Sequence, residues 1–223
     1  MSSASTKAAA AAAAASAVLL LVVWSARRQR SKDATASTAA GTAAKDDAKD
    51  DANKDESPES WLLEVRAELY ESVLPFWMKH SFDAQHGGFV SCLGRDGAPY
   101  DGKKYTWLNG RAVWMTAEMA RCRSAAELDA RSKGVLSRSS LVQASKATAE
   151  FLLANAVRPS DGQLWFCLTK EGAALHLERK PFSALFTCQG LGALSEVCRA
   201  DGDEDASARY FAEALKLLDR CLG

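Results

Sequence analysis

The chain has 223 residues, of which 28 are basic and 28 acidic, so its formal net charge is zero. Hydrophobic side chains make up 48% of the sequence, which excludes a wholly disordered protein. No basic face persists in the part of the chain that follows residue 60, so nucleic acid is not expected as a partner.

The N-terminal segment is the first feature with a recognisable pattern. Residues 8–24 are apolar apart from Ser16, and they lie between Lys7 and the basic run RRQR. This length is at the lower limit for crossing a bilayer. We predict that residues 1–26 form a single-pass membrane anchor, with the folded part on the cytoplasmic side because basic residues follow the apolar run. A cleaved signal peptide and a mere compositional run of alanines are the open alternatives.

The next segment has the composition of a linker. Between Ser25 and Ser60 there is no aromatic residue and no Val, Leu or Met, and the acidic run KDDAKDDANKDE lies within it. Such a stretch cannot bury enough apolar surface to offset its ordering entropy. We therefore predict a disordered charged linker over residues 27–57, followed by a globular domain over residues 58–223.

Five helices are predicted in the globular part from the spacing of apolar residues. The first shows an apolar residue at every fourth position, which indicates one buried face. Two short hairpins are predicted between the helices, at 89–97 and 164–172, because each ends in an acidic residue followed by glycine. The predicted helices are residues 60–80, 107–121, 141–156, 182–199 and 206–222.

The two hairpins are similar to each other in sequence. FVSCLGRDG and LWFCLTKEG share the pattern Cys-Leu-x-basic-acidic-Gly, at an offset of 75 residues. A fixed period predicts a repeat architecture, in which each unit is a hairpin followed by two helices. Such units cannot bury their apolar faces alone and must stack or close into a ring.

The six cysteines and one group of polar residues are the candidates for disulfide or metal sites. No CxxC pair occurs, and most cysteines lie within apolar patterns, which favours reduced, buried thiols. His80, Asp83 and His86 have a spacing that could suggest a metal site, but the loop supplies no further nearby ligand. We predict no metal and no bound cofactor.

Five motifs in chain order closely resemble those of one family. They are HSFDAQHGGF, CLGRDGAPYD, KYTWLNGRAVWM, DGQLWFCLTKEG and RKPFSALF. Together they resemble the N-acylglucosamine 2-epimerases, also called renin-binding proteins, over most of residues 58–223. The resemblance implies an all-α fold, an (α/α)6-barrel-like toroid of helical hairpins with short β-hairpins, of which only the N-terminal part is expected here. Ala184 departs from the family, which usually carries an acidic residue after the preceding serine.

The resemblance also implies a reaction, the interconversion of N-acetyl-D-glucosamine and N-acetyl-D-mannosamine. Epimerisation at C2 removes a proton next to the C1 carbonyl of the open-chain sugar and returns one to the other face. A cation near the carbonyl oxygen stabilises the enolate. Arg111 matches the family's active-site arginine and is the catalytic candidate. Tyr105, Trp107 and Asn109 are predicted to line the sugar site.

The family's catalytic histidines lie in its later half, and His176 matches none of its histidine motifs. The chain alone is therefore expected to be an incomplete enzyme whose partner is an amino sugar. The alternatives are a non-catalytic carbohydrate- or protein-binding module and a truncated product that is not stable. The exposed apolar edge of a half-barrel predicts dimerisation, aggregation or poor folding. An effector role for ATP is left open.

Overall fold

The computed structural model describes residues 57–122, 125–132, 134, 136–177 and 180–222. The chain divides into two compact units, Met1–Val65 and Arg66–Gly223. In the first unit, residues 58–65 form most of helix α1 (Pro58–Ala67). The second unit holds the remaining helices and all the strands of the described chain.

The predicted membrane location is wrong. Among the helices of the described ranges, none is both long enough and apolar enough to cross a bilayer. Residues 1–26, from which the anchor and the cytoplasmic orientation were inferred, lie outside the described residues. The same is true of the linker predicted over residues 27–57, except for Ser57.

The helices of the second unit match the predictions closely. A π-helical segment (Glu68–Val73) leads into α2 (Leu74–His80). Two predicted helices follow as α3 (Thr106–Cys122) and α5 (Arg138–Asn155), with the short α4 (Ala125–Arg131) between them. The last two predicted helices are α6 (Phe182–Ala200) and α7 (Glu204–Leu222).

The strands form two small antiparallel sheets. In the first sheet, β1 (Cys92–Leu93) pairs with β2 (Pro99–Asp101). In the second, β4 (Trp165–Leu168) lies between β3 (Lys104–Tyr105) and β5 (Ala174–Leu177). Because β3 belongs to the first repeat and β4 to the second, this sheet joins the two predicted repeats.

The 75-residue repeat is visible in the backbone hydrogen bonds. Gly94 N–H donates to Ala98 O at 2.8 Å, and the equivalent Thr169 N–H donates to Ala173 O at 2.8 Å. The isolated bridge between Phe82 and Phe89 likewise recurs 75 residues later between Val157 and Leu164. The turn glycines at positions 97 and 172 both have positive φ, at 83° and 105°, a conformation that glycine adopts without strain. The hairpins are therefore two copies of one local structure.

The helices of the second unit form two layers. Arg138 Nε on α5 donates to Ala120 O, and Ser145 Oγ donates to Val113 O, so α5 runs antiparallel to α3. Helix α7 returns along α6 after a three-residue turn. The layer of α3 and α6 thus lies against the layer of α5 and α7, with a shared core centred on the fully buried Leu152, Leu191, Leu194, Val197 and Leu217.

Helices α3 and α6 approach each other closely because glycines face each other at their crossing. A Cβ atom at Gly110 would lie 2.6 Å from Thr187 N, and one at Gly190 would lie 2.6 Å from Gly110 O. Gly110 faces Thr187, and further along both helices Val113 faces Gly190, so the two helices run parallel. Their N-terminal ends therefore lie side by side.

Candidate functional site

The candidate site lies where α3 and α6 begin. Trp107 and Arg111 are four residues apart and therefore share one face of α3. The Arg111 guanidinium carbon lies 5.9 Å from the centroid of the Trp107 ring and 5.3 Å from that of Phe186 on α6. The two rings are 6.3 Å apart between centroids. The second repeat thus contributes an aromatic wall to a site that the sequence placed in the first.

Among the described residues, the Arg111 guanidinium is positioned by these two rings. Within the part of the chain that the structure describes, no carboxylate pairs with its guanidinium. Arg121, at the other end of the same helix, donates instead to Glu118 Oε2 at 2.7 Å. A guanidinium positioned by cation–π contacts keeps its N–H donors for a ligand, and it suits an oxygen on which negative charge develops.

Tyr105 precedes α3 on strand β3 and is half-buried. Its ring meets that of Phe166 on β4 edge to face, with centroids 5.5 Å apart. Burial raises the pKa of the Tyr105 phenol, and nearby Cys167 adds to this effect. The phenol is therefore neutral at neutral pH and can both donate and accept hydrogen bonds.

Asn109 has a different position from the one predicted. It is fully buried, and its Oδ1 accepts a hydrogen bond from Phe89 N–H at 2.6 Å. Both of its amide hydrogens are used as well, since Nδ2 donates to Phe89 O at 3.1 Å and to Tyr105 O at 3.0 Å. A direct contact between Asn109 and a sugar is at odds with this geometry. The residue instead fixes the first turn of α3 to the preceding loop.

The structure brings two of the three polar residues of that loop together and leaves His80 apart from them. Asp83 Oδ2 lies 3.1 Å from His86 Nδ1 and accepts a hydrogen bond from Lys104 Nζ at 2.9 Å. His80 lies elsewhere, with its ring 5.0 Å from that of Phe76. His176 lies on β5, opposite Cys167. Asp83 thus forms an ion pair with the buried Lys104, which no sequence pattern indicates.

The described cysteines are free thiols. Cys92, Cys167, Cys188, Cys198 and Cys221 are unpaired in the part of the chain described with side chains. Burial raises the pKa of the last four of these thiols. They are therefore protonated at neutral pH and behave as small apolar side chains.

The Asp83 carboxylate predicts a specific loss of stability in acid. Burial alone would raise its pKa, but hydrogen bonds from Lys104 and His86 outweigh burial and lower the pKa from 3.8 to about 2. The pKa of Asp83 is lower in the folded protein than in the unfolded chain. The stabilisation that its carboxylate gives to the folded state is therefore complete above about pH 4 and disappears as the pH falls towards 2. At ~1.4 kcal/mol per pKa unit, it amounts to about 2 kcal/mol.

The test is urea unfolding of the Asp83→Asn variant between pH 2 and pH 7. The variant should be less stable than the parent at pH 7, and the difference should narrow as the pH approaches 2. The exposed Asp96, whose Oδ1 accepts a hydrogen bond from Ala98 N–H, supplies the control Asp96→Asn. A constant difference across the whole pH range would contradict the assignment.

A buried hydroxyl on α6 gives a second prediction. Thr187 is 2% exposed, and among the described groups its Oγ1 has no hydrogen-bond partner. Removing an unsatisfied polar group relieves its desolvation cost, so Thr187→Val should raise the free energy of unfolding by about 1 kcal/mol. Thr116 on α3 is the control, because its hydroxyl donates to Ala112 O at 2.8 Å. Thermal melts in which Thr187→Val is no more stable than Thr116→Val would refute the prediction.

Comparison with known proteins identifies the class of fold first. No protein-family model matches the chain. A sugar epimerase from a ruminal bacterium superposes with a TM-score of 0.55 at 23% identity, over 72% of this chain and 36% of that one. The cellobiose 2-epimerase from Spirochaeta thermophila DSM 6192 gives a TM-score of 0.52 at 20% identity, over 74% and 37%. The described helices form part of an (α/α)6-barrel-like toroid.

The sequence relatives then give the family. The chain is 37% identical to the N-acylglucosamine 2-epimerase of Mus musculus over 168 residues, which are 75% of this chain and 36% of the mouse protein. It is 39% identical to the Bos taurus N-acylglucosamine 2-epimerase over 166 residues, or 74% and 35% of the two chains. The chain belongs to the N-acylglucosamine 2-epimerase family. It spans about a third of the length of these relatives.

Proposed function

We propose that this chain supplies the Arg111 side of the active site of a sugar 2-epimerase that interconverts N-acetyl-D-glucosamine and N-acetyl-D-mannosamine. The observation that carries the proposal is the Arg111 guanidinium, which lies between Trp107 and Phe186 with no described carboxylate as its partner. Aromatic rings suit the apolar faces of a pyranose, and the cation suits an enolate oxygen.

The proposed reaction begins with the open-chain aldehyde. A general base removes the C2 proton, and the electron pair of the C2–H bond delocalises onto the C1 oxygen as an enolate. Arg111 donates hydrogen bonds to that oxygen while the charge is present. A general acid then returns a proton to the opposite face of C2, so the sugar is inverted at C2 with no net gain or loss of atoms.

The acid–base groups are proposed to come from outside the aligned third of the relatives. His80 lies against Phe76, His86 contacts Asp83, and His176 is exposed on β5. A positioned acid or base contributes typically ~10²–10⁴-fold to a rate. The chain alone should therefore not epimerise N-acetylglucosamine at an enzyme-like rate. An effector role for ATP stays an open prediction.

The experiment is solvent deuterium exchange at C2, followed by NMR. N-acetylmannosamine in D2O would be incubated with the 223-residue chain and with a chimera that adds the unaligned C-terminal portion of the mouse relative. We expect loss of the C2 proton signal, with formation of the glucosamine epimer, only with the chimera. Exchange by the chain alone would assign the acid–base work to one of its own histidines. A folded but inactive chimera would contradict the proposed function.

A non-catalytic binding module is the second candidate, and the exposed apolar side chains favour it. Phe182 and Leu185 on α6 are 53% and 40% exposed, and Phe211 and Leu215 on α7 are 54% and 44% exposed. Apolar surface of this kind is typical of contacts with another protein or with further helices. Dimerisation through it stays a prediction, which sedimentation of the 223-residue chain would test. Saturable binding of the sugar without exchange in the chimera would favour this second candidate.

A further inference from the structure

Lys104 on β3 is a charged side chain in the interior, only 1% exposed. Its Nζ donates to Asp83 Oδ2 at 2.9 Å, to Gly87 O at 2.6 Å and to Lys170 O at 2.7 Å. It also lies 4.3 Å from the centroid of the Phe151 ring. All three hydrogens of the ammonium group are therefore used. Burial lowers the pKa of Lys104, and the Asp83 carboxylate opposes that change.

The three acceptors come from both repeats. Asp83 and Gly87 belong to the loop before the first hairpin, whereas Lys170 belongs to the turn of the second. The first residue of α3 reinforces this junction, since Thr106 Oγ1 donates to Trp165 O at 2.5 Å. One ammonium group thus joins the two repeats at the point where the polypeptide enters α3.

A short chain of contacts connects Lys104 to the candidate site. The loop that it holds ends at Phe89, whose backbone N–H and C=O both bond to the Asn109 side chain. Asn109 lies on the first turns of α3, between Trp107 and Arg111. The orientation of this part of α3 therefore depends on the loop, and the loop depends on the ammonium group.

We propose that Lys104 is a positioning residue, whose buried ammonium group sets the placement of Trp107 and Arg111. An effect of Lys104 on a bound sugar rests on the proposed function, whereas its effect on the positions of Trp107 and Arg111 does not. The neighbouring Lys103 is a natural control, because its side chain is 43% exposed and pairs with Asp101 at 2.8 Å. It has the same charge and lies on the same segment of chain.

The test is ¹⁹F NMR of the 223-residue chain labelled with 5-fluorotryptophan, well below its melting temperature. The Trp107 resonance is assigned by its loss in Trp107→Phe. Lys104→Ala should displace this resonance by more than its linewidth, whereas Lys103→Ala should leave it in place. Lys104→Ala removes the atoms of a propylammonium ion, so added propylammonium should return the resonance to its original position. Propanol and tetramethylammonium at equal concentration should not.

Rescue by propylammonium alone separates positioning from a general loss of packing. Lys104→Ala could fold only when propylammonium is present. In that case the recovery of a dispersed spectrum on adding propylammonium would count as the rescue and support the proposal. The double variant Asp83→Asn/Lys104→Met removes both charges and should fold with the Trp107 resonance still displaced. An unmoved resonance in Lys104→Ala or in the double variant would overturn the proposal, as would equal rescue by propanol. None of these outcomes depends on sugar turnover, so they are independent of the proposed function.

Discussion

Gly190→Ala is expected to lower the free energy of unfolding by about 3 kcal/mol, a large effect for a single methyl group. The added Cβ would lie 2.6 Å from Gly110 O and 2.9 Å from Val113 Cβ, both on the facing helix. Backbone atoms cannot rotate away, so α3 and α6 must separate. That separation loosens the core that they share and widens the site at their N-terminal ends. Urea unfolding of the 223-residue chain measures the effect.

Gly192→Ala is the matched control on the same helix. A Cβ at Gly192 has no atom within 4 Å, apart from its chain neighbours and the local helix backbone. Without a steric cost, alanine should stabilise the helix by ~0.5–1 kcal/mol relative to glycine. The two substitutions should therefore have opposite signs. Similar effects at both positions would show that the helix crossing is not as close as described.

The helices were largely predictable because their apolar spacing follows the layers in which they pack. The exceptions have local causes. Pro75 lacks an N–H group, and just before it Leu74 N–H bonds to Leu69 O, five residues back, which gives the π-helical segment. Helix α5 begins earlier than predicted, because a hydrogen-bonded cap at Ser137 starts it before the first apolar residue, Leu141.

The short helix α4 was not predicted. Its sequence, AAELDAR, contains one large apolar residue, Leu128, and shows no periodicity over its seven residues. Leu128 is nevertheless fully buried in a second cluster with Tyr70, Leu74 and Leu136. Tertiary packing, rather than local pattern, therefore places this helix.

The candidate site was predictable only in part. Arg111 and Trp107 share a motif, so the resemblance could identify both. Phe186 lies 75 residues beyond Arg111, and only the parallel packing of two helices brings it there. Asn109 lies in the same motif, where a polar residue suggests a ligand contact, yet its described hydrogen bonds hold the backbone.

Lys104 was missed for a general reason. Lysine is almost always exposed, so a sequence pattern treats it as part of a polar surface. Its burial depends on three acceptors that lie 17 to 66 residues away in the chain. The sequence shows the repeat only as one short motif in the two hairpins. In the structure the repeat also includes the β-bridges before the hairpins and the hydrogen bonds of their turns.

The largest expected effect on activity concerns Arg111. In the chimera with the mouse relative, Arg111→Ala should lower the rate of C2 exchange by roughly 10²–10³, the usual effect of one preorganised charge-stabilising donor. Arg111→Lys should recover part of the loss, because it keeps the charge but not the planar guanidinium that stacks on Trp107 and Phe186. The measurement is the initial rate of deuterium incorporation at saturating sugar.

Arg121→Ala is the control for this series, since it removes an arginine from the exposed far end of the same helix. It should leave the exchange rate within about twofold, because its side chain pairs with Glu118 at the surface. If Arg111→Ala raised the KM but left kcat unchanged, Arg111 would bind the sugar equally in the ground and transition states. The enolate role would then be wrong, while a sugar site between Trp107 and Phe186 would stand.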